Sequence, residues 1–199
     1  MASSSSARPP QPRGAGRARM APSESHPEIV VMASGCLGLI YFARRPGRLT
    51  LEEIDAAYPG LIPTLRAHQG IGFVLVRSSR HGAVVMGNAG VHYLDSGVVE
   101  GVDPLAPFGV NAARHVKRTH DFAHVADLMV NSAYDPETDE VFAFEEMVGS
   151  HGGLGGPQSF PFVLLPRGWS TPDRAIVGAE ALHQWMRRWL ADLGQAEYR

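Results

Sequence analysis

The chain has 199 residues, 44% hydrophobic and 19% charged, with a formal net charge of −2. That supplies enough apolar length for one domain with its own core, and the near-neutral balance excludes a bulk field that recruits nucleic acid. The single cysteine, Cys36, excludes an internal disulfide and a zinc ribbon, and no apolar run reaches the roughly 18–20 residues of a membrane-spanning helix.

Residues 1–25 are rich in Ser, Pro, Arg, Ala and Gly and hold almost no large apolar side chain. Such a segment buries too little surface to offset its ordering entropy and reads as a disordered, solvated tail. It has arginines and no acid before Glu24, as a transit peptide does, but no apolar centre of a secretory signal. Met20 is a second candidate start. Residues 26–199 read as a single α/β domain.

The run Ile29-Val30-Val31-Met32 predicts a buried strand over 28–34. Residues 37–42 form a second strand, or continue the first past a glycine kink. Cys36 is placed in apolar strand surroundings with no adjacent His or Lys to lower its pKa, which suits a buried inert thiol better than a nucleophile. Thr50-Leu51-Glu52-Glu53 fits a capping box. Leu51, Ile54 and Tyr58 then share one helical face, which ends near Pro59. A short helix over 61–68 and a strand over 72–77 follow. Residues 82–86 and 91–94 read as a hairpin joined through Gly87-Asn88-Ala89-Gly90.

Residues 103–107 read as a loop and 110–118 as a helix carrying Arg114, His115, Lys117 and Arg118. Those charges form either a phosphate-facing patch or an ordinary solvated face. A strand is predicted over 127–130, a turn over 131–136, and strands over 140–144 and 162–165. Leu182, Trp185, Met186, Trp189, Leu190 and Leu193 fall at helical spacing, with Arg187 and Arg188 facing away and Gly194 as a stop. The two tryptophans of that stripe read as core. Strands alternating with helices argue an α/β fold, a central sheet flanked by helices.

The densest motif is Gly149-Ser150-His151-Gly152-Gly153-Leu154-Gly155-Gly156, five glycines in eight residues around one imidazole. Glycine costs backbone entropy, so this density marks a backbone in conformations other residues strain to adopt. Gly152 or Gly153 is expected at positive φ. Such a loop presents a side chain or its own N–H groups close to a ligand or metal. It equally suits a close-packed turn whose histidine is merely hydrogen-bonded. The acidic pair Glu145-Glu146 precedes it and the apolar segment Phe160-Pro161-Phe162-Val163-Leu164-Leu165 follows, so the order reads as packed element, tight loop, buried strand.

Gly149-Ser150-His151-Gly152 resembles the late Gly-x-His-Gly segment of the alkaline phosphatase superfamily, in its type I phosphodiesterase/nucleotide pyrophosphatase branch. A longer resemblance, from about Ile29 to Leu193, is to the C-terminal part of bacterial members that often carry a membrane-embedded or holin-like N-terminal region. Its segments are Ala33-Ser34-Gly35-Cys36-Leu37-Gly38, His68-Gln69-Gly70-Ile71-Gly72-Phe73, Asp103-Pro104-Leu105, Val130-Asn131-Ser132 and Phe144-Glu145-Glu146-Met147-Val148-Gly149-Ser150-His151-Gly152-Gly153. The family pattern favours asparagine where this chain has Cys36.

The resemblance implies a two-metal site of Asp and His ligands with a Thr or Ser nucleophile, acting on a phosphate ester or phosphodiester. It makes His151 a metal ligand, and Gly149, Gly152 and Gly153 the loop that supports it. It also implies that the sheet is an incomplete part of an alkaline phosphatase-like domain. Zinc or another divalent metal belongs to the complete enzyme, and none is expected to bind tightly to this chain alone, since one ligand holds zinc poorly. The imidazole must be neutral to ligate, so affinity is expected to fall below about pH 6. The Asp-His-Gly ligand motif is absent; Arg80-His81-Gly82 is its nearest imitation, and His81 reads as a turn residue. No catalytic residue is assigned.

The missing N-terminal portion is an expected partner, and the location follows as cytoplasmic or membrane-associated through that region. Asp127 and Asp135 read as cap or turn residues. His68 and His92 read as hydrogen-bonded or exposed. His115, His120 and His124, with Asp121 and Asp127, form a loose cluster that makes a weak candidate metal site. No Gly-x-Ser-x-Gly elbow is present, and Ser150 beside His151 is no triad. Two functions stay open: a metal-dependent phosphodiesterase or phosphatase-like portion, inactive alone, and a non-catalytic α/β accessory or partner-binding module.

Overall fold

The structure, a computed structural model, describes residues 28–146, 149–195 and 197. The tail read over 1–25 lies outside the described residues.

In chain order the elements are β1 (Val30–Ser34), β2 (Leu37–Tyr41), α1 (Leu51–Ala57), α2 (Leu61–Ala67), β3 (Ile71–Ser78), β4 (Gly82–Met86), β5 (Gly90–Tyr93) and β6 (Val98–Gly101). Then come α3 (Ala112–His120), β7 (Leu128–Ser132), β8 (Tyr134–Asp135), β9 (Glu140–Val141) and α4 (Ala179–Asp192). Single 3-10 turns lie at Ala106–Phe108 and Pro157–Ser159. Seven strands form one sheet in the order β1-β2-β7-β3-β4-β5-β6, and every neighbouring pair is antiparallel. The fold is mixed α/β, a sheet flanked by helices.

Two apolar clusters, one on each face, explain why the sheet is covered on both sides. Val74 and Val76 of β3 meet Val84, Leu128 and Val130, capped by Ile54 of α1 and Ile62 of α2. Their alternates Phe73 and Leu75 meet Val85 and Met129 under Phe108 and, from α3, Ala112 and Val116. Phe73 to Val76 are thus buried without interruption, as strands covered on both faces require. The capping box over Thr50 and Glu53 starts α1: Glu53 N donates to Thr50 Oγ1 at 3.3 Å and Thr50 N to Glu53 Oε2 at 2.7 Å.

Several expectations are corrected. Asn131 and Ser132 end β7 and are buried; they are not a turn. The strand read over 140–144 contracts to β9. Cys36 lies in the tight turn between β1 and β2, not in a strand. Residues 162–165 form no strand, and Phe162 and Leu164 are each 89% exposed. Pro161 and Pro166 bracket that run and donate no backbone N–H, so neither can extend a ladder past its ends.

The stripe on α4 is only partly buried. Trp189 is covered by Trp169 and Trp185, whereas Met186, Leu190 and Leu193 stay exposed. This helix rests on the outside of α3 through Arg118–Glu180 and the Arg114 bond to Val177 O, so its tryptophans form a satellite cluster and not the main core. No described helix is long and apolar enough to cross a membrane.

Candidate functional site

The glycine loop crosses the β1–β2 turn on the α3 side of the sheet, where Leu154 packs against the second cluster. Cys36 N donates to His151 O at 2.7 Å. Gly35 has φ +59°, which suits the first position of a two-residue hairpin loop. A Cβ there would collide with the His151 carbonyl and lie 3.0 Å from its Nδ1. The other side of the turn is held by Phe144 N, which donates to Gly35 O at 2.7 Å, and by Glu145 Oε2, which accepts from Gly35 N at 3.0 Å. The two segments flanking the turn are therefore sewn to it, and the His151 side chain is left exposed.

The glycines serve different needs. Gly152 has φ +86° and its Cβ position would meet Ser34 O. Gly153 has no positive φ; its requirement is space, since a Cβ would lie 2.7 Å from Asn131 Oδ1 and 2.8 Å from Cys36 Cβ. Gly149 faces open space. Cys36, fully buried, contributes its backbone: its N reaches His151 and its O accepts from Ser132 N at 2.9 Å.

Asn131 is the residue that sequence reasoning missed. Its side chain is 1% exposed and holds Leu154 at both backbone groups. The signal was present in Val130-Asn131-Ser132, a polar pair directly after an apolar run, but polar pairs more often open turns.

The other histidines lie elsewhere. His92 Nδ1 pairs with Asp103 Oδ1 at 3.0 Å. His81 sits in a turn against Tyr93. His120 Nδ1 accepts from Arg48 Nη2 at 3.2 Å, and burial, with the Arg48 charge second, lowers its pKa to about 4. Asp127 is buried and accepts from Phe42 N at 2.8 Å and Leu49 N at 2.6 Å, so it ties the β2–α1 connection to the start of β7. Asp135 accepts from Glu137 N in a turn.

The cations of α3 have partners within the chain: Arg114 on Val177 O, Lys117 on Asp121 and Asp95, and Arg118 on Glu180. That favours the solvated, ion-paired face over a phosphate patch. Among the described residues no three His, Cys, Asp or Glu side chains come together as a set able to hold a metal.

No family model, curated protein or solved structure matches the chain.

Proposed function

We propose that the chain is the C-terminal part of a metal-dependent phosphodiesterase or phosphatase-like hydrolase, with His151 supplying one ligand. The observation that carries this reading is the exposed imidazole on a backbone fixed from both sides: its own carbonyl is bonded to Cys36 N while Glu145 and Phe144 hold Gly35. A ligand supplied to a second portion needs that fixed backbone and a ring open to it. The remaining ligands and the nucleophile come from a second portion, without which the chain hydrolyses nothing.

The second reading, a partner-binding module, is favoured by a different observation. β1 is an edge strand, largely exposed, with the sequence Val-Val-Met-Ala-Ser. It has no lysine, proline or bulge of the kind that blocks edge pairing. The two readings agree that this surface is covered by another polypeptide and differ on whether that polypeptide completes a catalytic site.

The test is to look upstream of the coding sequence for an open frame carrying Asp-His-Gly, and to express its product together with this chain. Hydrolysis of bis-p-nitrophenyl phosphate should depend on zinc or manganese and be abolished by a chelator and by His151→Ala. Metal content and turnover that survive His151→Ala would make the imidazole structural and leave the module reading.

A further inference from the structure

β1 ends one side of the sheet, and its own hairpin decides which of its backbone groups face outward. Ser34 and Leu37 close the two-residue loop, so Ser34, Met32 and Val30 exchange their bonds with β2. The N–H and C=O of Val31 and Ala33 point to the free edge, and no described loop or turn bonds to them. The side chains stop just as abruptly. Val31 pairs with Ile40, on the face of the first apolar cluster, and Met32 with Leu39, on the face of the second. Val31 is 67% and Met32 56% exposed. A strand open to water on one face alternates apolar with polar residues, and apolar residues on both faces mark a strand covered on both. The opposite edge differs: β6 carries Glu100 and ends in Gly101 at φ +75°, and charge of that kind hinders edge pairing.

The order of groups along β1 selects the partner. Val31 and Ala33 lie on either side of Met32, so a two-fold axis at Met32 sets Val31 of each copy opposite Ala33 of the other. Both outward residues are then used, and each such pair exchanges its N–H and C=O bonds. Shifting this register toward the turn would bring in Gly35, whose N–H and C=O are already taken by Glu145 and Phe144. The charges at the two ends are of opposite sign. Beside Val30, in the turn after β2, stand Arg44 and Arg45, with Glu28 held by Tyr58 Oη at 2.6 Å. Beside Ser34 and Gly35 stand Glu145 and Glu146. An antiparallel copy brings the arginine end of each chain to the glutamate end of the other, at both ends of the ladder. A parallel copy would set like ends together.

We propose that β1 pairs antiparallel with β1 of a second copy of this chain and joins the two sheets into one. The same patch serves on both copies, as a closed two-fold interface requires. Met32 meets its counterpart on one face, and Val31 continues the apolar layer on the other. This deepens the reading that β1 is covered by another polypeptide and rests on it; it does not use the His151 ring.

The test is sedimentation of the full chain over about 5 to 500 µM, a range suited to an interface of this small class. A reversible monomer–dimer equilibrium is expected. Val31→Lys places a charge on the edge and should weaken association at least tenfold, with the thermal midpoint of the dilute protein unchanged. Ala33→Pro removes one outward N–H and should give the same loss. Arg45→Glu and Glu146→Arg should each weaken association about three- to tenfold, and the double variant should restore it. A chain that stays monomeric throughout would overturn the proposal, as would a dimer that both β1 variants leave intact. A double variant as weak as its parents would overturn the antiparallel placement. If the chain is monomeric but Val31→Lys abolishes its binding to the upstream product, the second copy is wrong and coverage of β1 by another polypeptide survives. If the monomer binds neither, both fall.

Discussion

The side-chain amide of Asn131 in β7 brackets Leu154 in the glycine loop: Leu154 N donates to Oδ1 at 2.7 Å, and Nδ2 donates to Leu154 O at 3.2 Å. Nδ2 also reaches Ser132 O at 2.9 Å. One buried polar side chain thereby satisfies a loop that has no strand partner of its own. Asn131→Leu keeps the volume and removes every one of these bonds. It should cost about 2–4 kcal/mol, because each orphaned buried group costs about 1–3 kcal/mol. The urea midpoint reads this directly, and a midpoint within error of the parent would show that the bonds contribute nothing.

The glycines of the loop should separate by position. Gly152→Ala meets both the left-handed φ and the Ser34 carbonyl, and Gly153→Ala meets Asn131 and Cys36. Each should lower stability by about 2–4 kcal/mol. Gly149 faces open space, so Gly149→Ala should stay within about 0.5 kcal/mol of the parent, as uncrowded surface changes do. Equal effects at all three positions in thermal melts would contradict this account of the loop.

His151→Ala should leave the isolated chain's stability within about 0.5 kcal/mol, because what holds the loop is the His151 carbonyl, which alanine keeps. A loss of more than about 1 kcal/mol would assign the ring a packing role and weaken the ligand reading.

Local rules made much of the fold readable, and long-range packing made the rest opaque. Thr50 and Glu53 announce α1 because a cap is satisfied within one turn of chain. The run Phe73 to Val76 announces a strand by its unbroken apolarity, and the structure covers that strand on both faces. By contrast, Phe162 to Leu165 looks equally apolar and forms no strand, since a strand needs a neighbour to pair with and this run lies exposed. His151 was legible as a loop histidine through its glycines, but the reasons for those glycines were not. The crowding at Gly153 comes from residues some twenty and more than a hundred positions away, Asn131 and Cys36. Asn131 was misread as a turn residue for the same reason, because a buried amide has meaning only beside its partners, here the backbone of Leu154.

Asp127 predicts a large effect away from the loop. Its carboxylate is the acceptor for two buried amides, Phe42 N and Leu49 N. Asp127→Ala should cost about 2–5 kcal/mol by stranding both. Asp127→Asn retains one oxygen and should cost less. Chemical denaturation of the two variants side by side checks the order, and equal losses would mean that the carboxylate acts through its charge, which both variants remove, and not as a shared acceptor.

The last prediction concerns acid. His120 is half-buried and accepts from Arg48, and its pKa falls to about 4, from burial first and the Arg48 charge second. The neighbouring Asp121 and Asp95 raise it and Lys117 lowers it further. An unfolded histidine titrates near 6.5, so between about pH 6.5 and 4 the unfolded chain binds the extra proton. Stability is therefore fully present above about pH 6.5 and declines as pH falls toward 4. Solvent screening of the half-exposed ring holds the effect to about 1 kcal/mol, a Tm loss of roughly 2–4 °C. Glu52, whose pKa is lowered to about 2, loses its contribution only below the ordinary carboxylate range; burial opposes that shift, and the bonds from Ser79 N and Ser78 Oγ overcome it. Melts at pH 7 and pH 5 therefore isolate the histidine. His120→Asn offers an acceptor in place of Nδ1 but no titration, so its Tm should fall less than the parent's between those two pH values. Parallel declines in the two proteins would show that His120 is not the group that responds.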